Sequence, residues 1–454
     1  MTDILISLFA FIFAIGILVA IHEYGHFIVA RFCGVKVIRF SIGFGRPIFR
    51  WQGKRETEYV IAAIPLGGYV KMIDDRQDPP LTPEERPFMF MSKSVWQRIA
   101  IVAAGPLMNL LFAVFAYWLM FMIGVQGVIP IVGEVTPNSV AAKIGIQPNE
   151  EIVEIEGKPT QTWQEVVLAM VEHIGEEGTI TLHTQQKDSD LKKQYQIDLK
   201  EWKASEQIED VLVSLGIVPK QPILPAVVGE VLSGEPSDIA GLEVGDEFLE
   251  VNGQTVNTWQ ETVEHIVVSA NKELTFTIKR DGETQHITAT PRWFEKEGGE
   301  RVGYLGVKVK MIPFPDELVR LQRLSPWTAF TQAIDKTIHY SLLTLDMIRK
   351  MILGQVSLSN LSGPVTIAHG AGQTASIGIQ YYLGFLALIS ISLGIINFLP
   401  IPVLDGGHLF FYLIEAITRR KVSERVQVVG YQIGFTLIII LMSLGFYNDF
   451  IRFS

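Results

Sequence analysis

The sequence has a single cysteine, Cys33, among 454 residues. A lone thiol cannot close an intramolecular disulfide, and it excludes zinc or iron–sulfur sites built from several cysteines. Charge is scarce too. Only 19% of residues are Asp, Glu, Lys or Arg, against about 25% in an ordinary soluble domain. Positive charge is in deficit: 38 basic and 48 acidic residues leave a net charge of −10, which argues against a general nucleic-acid binder. The composition also excludes disorder, collagen and coiled coil. What the chain does have is apolar residues, 48% of the total, and a mean hydropathy of +0.29. The class that remains is a membrane protein with a sizeable soluble part, and the length suggests about three structural units.

About 20 apolar residues cross a bilayer, and four stretches qualify: 1–30, 98–125, 381–417 and 428–451. The first is long, has no basic residue before it and contains a charged motif, so it reads as a retained span and not a cleaved leader. The third contains Pro400 and Pro402; proline lacks an N–H and clashes with the preceding turn, so a regular helix cannot pass through. Segment 31–97 carries Arg31, Lys36, Arg39, Arg46, Arg50, Lys54 and Arg55, and the loop after the third span carries Arg419, Arg420, Lys421 and Arg425. By the positive-inside rule both face the cytoplasm. Both termini and the middle of the chain then lie outside, in the periplasm of a bacterium with two membranes.

The middle contains a repeat. Gly133-Glu134-Val135 returns as Gly229-Glu230-Val231, and Thr162-Trp163-Gln164-Glu165 as Thr258-Trp259-Gln260-Glu261. Gly145 matches Gly241, and Gly157 matches Gly253, always 96 residues on. Two copies of one domain are expected, at 127–221 and 222–312. The phrase from Ala240 to Asp246, followed by Val251-Asn252-Gly253, resembles PDZ domains of bacterial proteases; the first copy departs from it with Asn149 in place of a glycine. Such domains bind extended peptides along a sheet edge, and two spacers or size filters would have the same sequence. Beyond them, in 313–380, apolar residues at Phe330, Ala333, Ile334, Ile338, Leu342, Leu345 and Ile348 predict an amphipathic helix on the outer side, lying on the membrane or against the two copies.

The chemistry lies in the spans. His22-Glu23-Tyr24-Gly25-His26 fits H-E-x-x-H. On a helix, i and i+4 share a face, so both imidazoles can bind one zinc ion, with Glu23 placed as general base for a water molecule. Three ionisable residues inside a span are costly and default to function. A catalytic zinc needs a third protein ligand. Asp405 and His408, one turn apart in the third span, both qualify, and spacing does not choose between them; Cys33 falls too near the membrane surface. Depth gives a check. His22 lies nine residues before Arg31 and Asp405 fourteen before Arg419, so both sit nearer the cytoplasmic face. Asn397 has two donors and an acceptor with which to hold a peptide backbone. The stretch around Pro400 and Pro402 is expected to line a wet cavity, because irregular backbone in a membrane is tolerated there.

His22–His26 in the first span, with Asn397-x-x-Pro400-x-Pro402-x-Leu404-Asp405-Gly406 in the third, resembles the site-2 protease family of intramembrane zinc metalloproteases. The resemblance covers essentially the whole chain. It implies that His22, His26 and Asp405 hold one Zn2+, that Glu23 is base and proton shuttle, and that Asn397, Pro400 and Pro402 contact substrate. Gly105-Pro106 with Asn109 resembles an element that packs near the family's active site, and Ser362-Gly363-Pro364 also matches. The stretch 37–72, with Gly43-Phe44-Gly45 and Gly67-Gly68-Tyr69, reads by itself as short strands separated by glycines. In the family it is a membrane-dipping β-sheet whose edge pairs with unwound substrate, which makes Gly43, Gly45 and Tyr69 candidate substrate contacts.

The expected fold is a polytopic α-helical membrane protein with four transmembrane helices, that sheet, and two tandem PDZ domains. The resemblance implies regulated intramembrane proteolysis in the bacterial inner membrane. Substrates would be pre-trimmed single-span proteins of the anti-sigma factor type, in an envelope stress response, and remnant signal peptides. A metal transporter or an inactive peptide-binding scaffold would fit parts of this pattern, but neither needs Glu23 where it stands.

Overall fold

A computed structural model describes residues 2–453 except 54–55, 75–81, 187–190, 203–210, 296–300, 311 and 313–314. Lys54 and Arg55 of the basic segment, and the expected boundary at 313, therefore lie outside the described residues. Among those described, four helices are long and apolar enough to cross a membrane: Ile4–Phe32, Val95–Ile123, Ile379–Phe398 and Glu424–Arg452. The second starts at a capping box, in which the Ser94 side chain accepts from the Gln97 backbone N–H and the Gln97 side chain from that of Ser94. That satisfies two of the orphan donors at a helix start. The third stops before Pro400, and the chain resumes as a separate helix, Asp405–Thr418.

The second span is the hub, packing against the first, the third and two shorter helices. Its face of Ala113, Ala116, Tyr117 and Met120 is buried with Ala387 and Ile391 of the third. Small residues on such a face let helices approach closely.

Between the first two spans the chain forms two long antiparallel strands, Val37–Gln52 and Glu58–Met72. The glycine-punctuated short strands expected there are thus continuous. Gly43 at φ +89°, Gly45 at +88° and Gly67 at +129° mark register shifts in the pairing. A glycine at positive φ bends a strand as a bulge and does not end it.

The two repeat copies build the same sheet. In the first, Glu150–Ile155 pairs with Lys158–Pro159 and with Thr179–Gln186, which pairs with Lys192–Asp198. In the second, Glu247–Val251 pairs with Gln254–Thr255 and with Leu274–Arg280, which pairs with Glu283–Ala289. A helix crosses each, Trp163–Glu172 and Trp259–Val267, capped by Thr162 and Thr258. The copies differ in attachment. The amphipathic helix Pro326–Ile352 docks on the first copy through His339 Nε2 to Glu172 Oε1 at 3.0 Å and Lys350 Nζ to the Glu172 carbonyl at 2.6 Å. Val356 just beyond it is buried in the first copy's core. Ser362-Gly363-Pro364 opens the helix Pro364–Ile377, and Asp449 of the fourth span caps it, accepting from the backbone N–H groups of Gly363 at 3.0 Å and Val365 at 2.7 Å.

Candidate metal centre

His22 and His26 leave the same face of the first span. Their Nε2 atoms lie 3.2 Å apart. Asp405 Oδ2, from the first residue of its helix, is 3.0 Å from His22 Nε2 and 3.3 Å from His26 Nε2. Among the described residues, no other three His, Cys, Asp or Glu side chains are arranged to hold a metal ion.

The protonation of the rings follows from their other nitrogens. His26 Nδ1 faces the Ile101 carbonyl at 2.8 Å, so Nδ1 carries the hydrogen and Nε2 a lone pair. His22 Nδ1 faces the Asn109 amide nitrogen at 3.4 Å, while the Asn109 Oδ1 is buried without a partner. A half-turn of that amide lets Oδ1 accept from His22 Nδ1–H, and the orphan disappears. Both Nε2 lone pairs then face Asp405 Oδ2, itself buried without a hydrogen-bond partner. Two ring nitrogens and a carboxylate oxygen in mutual contact are held by a shared cation, either a proton on a ring or a metal ion. Tetrahedral zinc with bonds of about 2.0–2.1 Å sets its ligand atoms about 3.3 Å apart, and the observed separations of 3.0, 3.2 and 3.3 Å match. The donor set fits zinc, and each imidazole has the outer partner that such ligands ordinarily have.

The cluster opens into a cavity of about 690 Å³, within the usual range for ligand sites. Glu23, Asn397 and His408 line it, together with residues 68–72 of the second strand, Tyr69 among them, and Ile73 and Asp74 just beyond. Strand and helix meet at Gly68, where a Cβ would lie 2.8 Å from Glu23 Cγ. Asn397 Nδ2 donates to the Leu393 carbonyl of its own helix at 3.0 Å, leaving its Oδ1 as the group available to a substrate N–H. His408 is outside the donor cluster; its Nδ1 lies 3.3 Å from the Tyr431 hydroxyl. Cys33 is also outside the cluster.

Other candidates lie elsewhere. Gly43 and Gly45 are in the first strand, away from the cavity lining. Of the proline stretch, Val403, Leu404 and Asp405 reach the cavity, while Pro402 packs against Gly430 and Gly434 of the fourth span. Pro400 and Pro402 follow the end of the third-span helix at Phe398, and Val403 and Leu404 after them form the wall. The Ile101 carbonyl and Tyr412, which also lines the cavity, escaped the sequence reading. A backbone group has no side-chain signature, and one tyrosine in an apolar helix carries none either.

The profile of peptidase family M50 matches residues 10–441. The regulator of sigma-E protease RseP of Escherichia coli K12 is 47% identical over 453 residues, 100% of each chain. A regulator of sigma E protease from Salmonella typhi is 46% identical over 452 residues, again 100% of both. A Vibrio cholerae protein named provisionally as a zinc metalloprotease is 44% identical over 452 residues, with the same coverage. A solved PDZ domain from Listeria monocytogenes aligns with 20% of this chain and 92% of its own, at 19% identity and a TM-score of 0.17, too low to bear on the fold. With the profile spanning nearly every residue and full-length relatives well above 40% identity, the chain belongs to peptidase family M50.

Proposed function

We propose that His22, His26 and Asp405 hold one zinc ion per chain and that Glu23 is the general base of an endopeptidase cutting within transmembrane segments. The observation that carries this is the convergence of two ring nitrogens and a carboxylate oxygen from two helices at 3.0–3.3 Å, with Glu23 in the same cavity. Zinc, when bound there, polarises the scissile carbonyl and acidifies water. Glu23 takes the proton from water and returns it to the leaving amine. Asn397 Oδ1 accepts from the peptide backbone, and Pro400 and Pro402 keep the adjoining stretch out of the helix. The hairpin of Gly43, Gly45 and Tyr69 dips into the membrane and pairs, along the strand that forms the cavity wall, with a substrate segment that has lost its helix. Unwinding matters because a helix engages its own carbonyls and screens them from attack.

The relatives' names point to a protease that regulates sigma-E. The substrate class is accordingly the membrane span of an anti-sigma factor already shortened on its outer side, with remnant signal peptides as a further class. The protein sits in the inner membrane with its termini and the two repeat copies, read as PDZ domains, in the periplasm and its active site towards the cytoplasmic side. The copies then stand where they exclude partners with bulky outer domains.

The experiment compares wild type with Glu23→Gln in detergent or liposomes, following cleavage of a single-span substrate on gels and zinc by elemental analysis. Cleavage by wild type alone, with about one zinc in each protein, is expected. Equal cleavage by both, or no zinc in either, would sink the reading.

A further inference from the structure

The third donor, Asp405, comes from a different helix than His22 and His26, so its place depends on how the helix Asp405–Thr418 is seated. At that helix's far end Glu415 meets Arg98 of the second span. Arg98 Nη2 donates to Glu415 Oε1 at 2.7 Å, and Nη1 donates to Oε2 at 3.1 Å. The Arg98 side chain is 4% exposed and that of Glu415 16%. The guanidinium also lies 4.7 Å over the ring of Tyr412, which lines the cavity.

Spacing ties this pair to the metal centre. Asp405, His408, Tyr412 and Glu415 recur at intervals of three and four, one stripe of one helix. On the second span Arg98, Ile101, Gly105 and Asn109 also share a stripe. That stripe touches every donor helix: Arg98 holds Glu415, the Ile101 carbonyl holds His26, Gly105 faces both imidazoles, and Asn109 faces His22. From Asp405 to Glu415 is about 15 Å along the axis. A site must be held to about 0.5 Å, which over such a lever allows roughly 2° of tilt.

We infer that the Arg98–Glu415 pair is the positioning device that seats Asp405 against the two histidines, making the second span the common template for all three donors. A bidentate fork fixes orientation as well as distance, which a single ammonium contact does not. The Arg98 Nε is buried without a partner, so the guanidinium is placed for the fork, not for its own full hydrogen bonding. The inference rests on the reading of Asp405 as a ligand.

The test is a double-mutant cycle on the full chain in detergent, with zinc retention against a chelator as readout. Asp405→Ala, Glu415→Gln and the two together are compared with wild type, alongside the thermal stability of the zinc-free proteins. Glu415→Gln in the wild-type background should weaken retention about 10-fold, at the low end of outer-shell effects, and lower kcat with little change in KM. In the Asp405→Ala background its effect should shrink to within about twofold, the scatter within which independent changes add, because the contact it works through is gone. Equal weakening in both backgrounds, or none in either, overturns the inference and leaves the pair a plain helix contact. If Asp405→Ala alone retains zinc as wild type does, the ligand reading itself has failed. Arg98→Lys, which keeps the charge and loses the fork, provides a second arm should Glu415→Gln not fold; it must reproduce the same dependence on Asp405.

Discussion

Replacing Gly105 by alanine should weaken the metal centre while leaving the helix intact. A methyl there would lie 2.6 Å from His26 Cε1 and 2.9 Å from His22 Nε2, and closer still to His26 Nε2. Ordinary contact begins at about 3.5 Å, so the His26 ring must move by roughly 1 Å. It cannot slide away freely, because its Nδ1 is held by the Ile101 carbonyl at 2.8 Å on the same helix. A displacement of about 1 Å costs on the order of 10²-fold in rate. The effect on the helix runs the other way, since alanine is favoured over glycine in a helix interior by about 1 kcal/mol. The zinc-free Gly105→Ala protein should therefore unfold no earlier than wild type, yet lose zinc to a chelator at least tenfold more readily and cleave a single-span substrate about a hundredfold more slowly. Gly16→Ala is the control, because a Cβ at Gly16 meets nothing within 4 Å. Gly105→Ala protein that keeps its zinc and cleaves within about twofold of wild type would refute the packing argument.

Other outcomes follow from the same geometry. Glu23→Gln should keep its zinc and lose about 10²–10⁴-fold in turnover, the usual worth of a general base, measured by single-turnover cleavage. Asp405→Ala should release zinc to a chelator far more readily than His408→Ala, since His408 lies outside the donor cluster; the reverse order in elemental analysis would reassign the third ligand. At Glu172, burial pushes the carboxyl up, but hydrogen bonds from His339 and Lys158, with their charges, outweigh it and hold it at about 2 against an ordinary 4.5. A carboxyl lowered on folding stabilises above its unfolded pKa, and that stability disappears as pH falls from about 4.5 towards 2. Because Lys158 is 58% exposed, screening reduces the contribution to about 1 kcal/mol. Thermal unfolding should show Glu172→Gln less stable than wild type at pH 7, with the gap narrowing by pH 3; a gap constant across that range would contradict the assignment.

Much of this was legible in the sequence because membrane and motif physics act locally. Apolar length falls within a few residues of the first, second and fourth apolar helices, whereas the third, drawn as 381–417, stops at Phe398; H-E-x-x-H puts two donors on one helical face. The choice between Asp405 and His408 was not legible from spacing. Both sit on the same stripe, and the turn 399–404 rotates and lifts the helix start so that Asp405 meets the imidazoles while His408 faces Tyr431. The stretch 37–72 reads as short strands because glycine weakens a strand in isolation, while cross-strand pairing over 16 and 15 residues makes two continuous ones. Arg98 and Glu415 each carried a signal, a charge at the edge of an apolar helix, but their partnership spans 317 residues of sequence and belongs to tertiary structure alone.

The break in the third span shows how such a site is held in a medium without water. An interrupted helix leaves peptide groups that lipid cannot satisfy. Pro400 and Pro402 remove two N–H groups from that demand. The neighbouring donors close on the turn itself: Ile401 N–H to Leu399 O at 2.7 Å, Leu404 N–H to Ile401 O at 3.1 Å, and Gly407 N–H to Leu404 O at 3.0 Å. The strain gathers at Val403, a β-branched residue at φ +95°, where such a conformation costs about 1–3 kcal/mol. Val403 lines the cavity two residues before Asp405. Had the helix run straight on from Phe398, position 405 would lie about 10 Å further along the axis; instead a Cβ at the next residue, Gly406, would meet the Leu399 carbonyl and Phe398 backbone. The strained turn folds that length back, so a new helix begins at the level of His22 and His26 and still reaches Arg98 at its other end. The strain and the clamp are thus two halves of one constraint on where a single carboxylate oxygen can be.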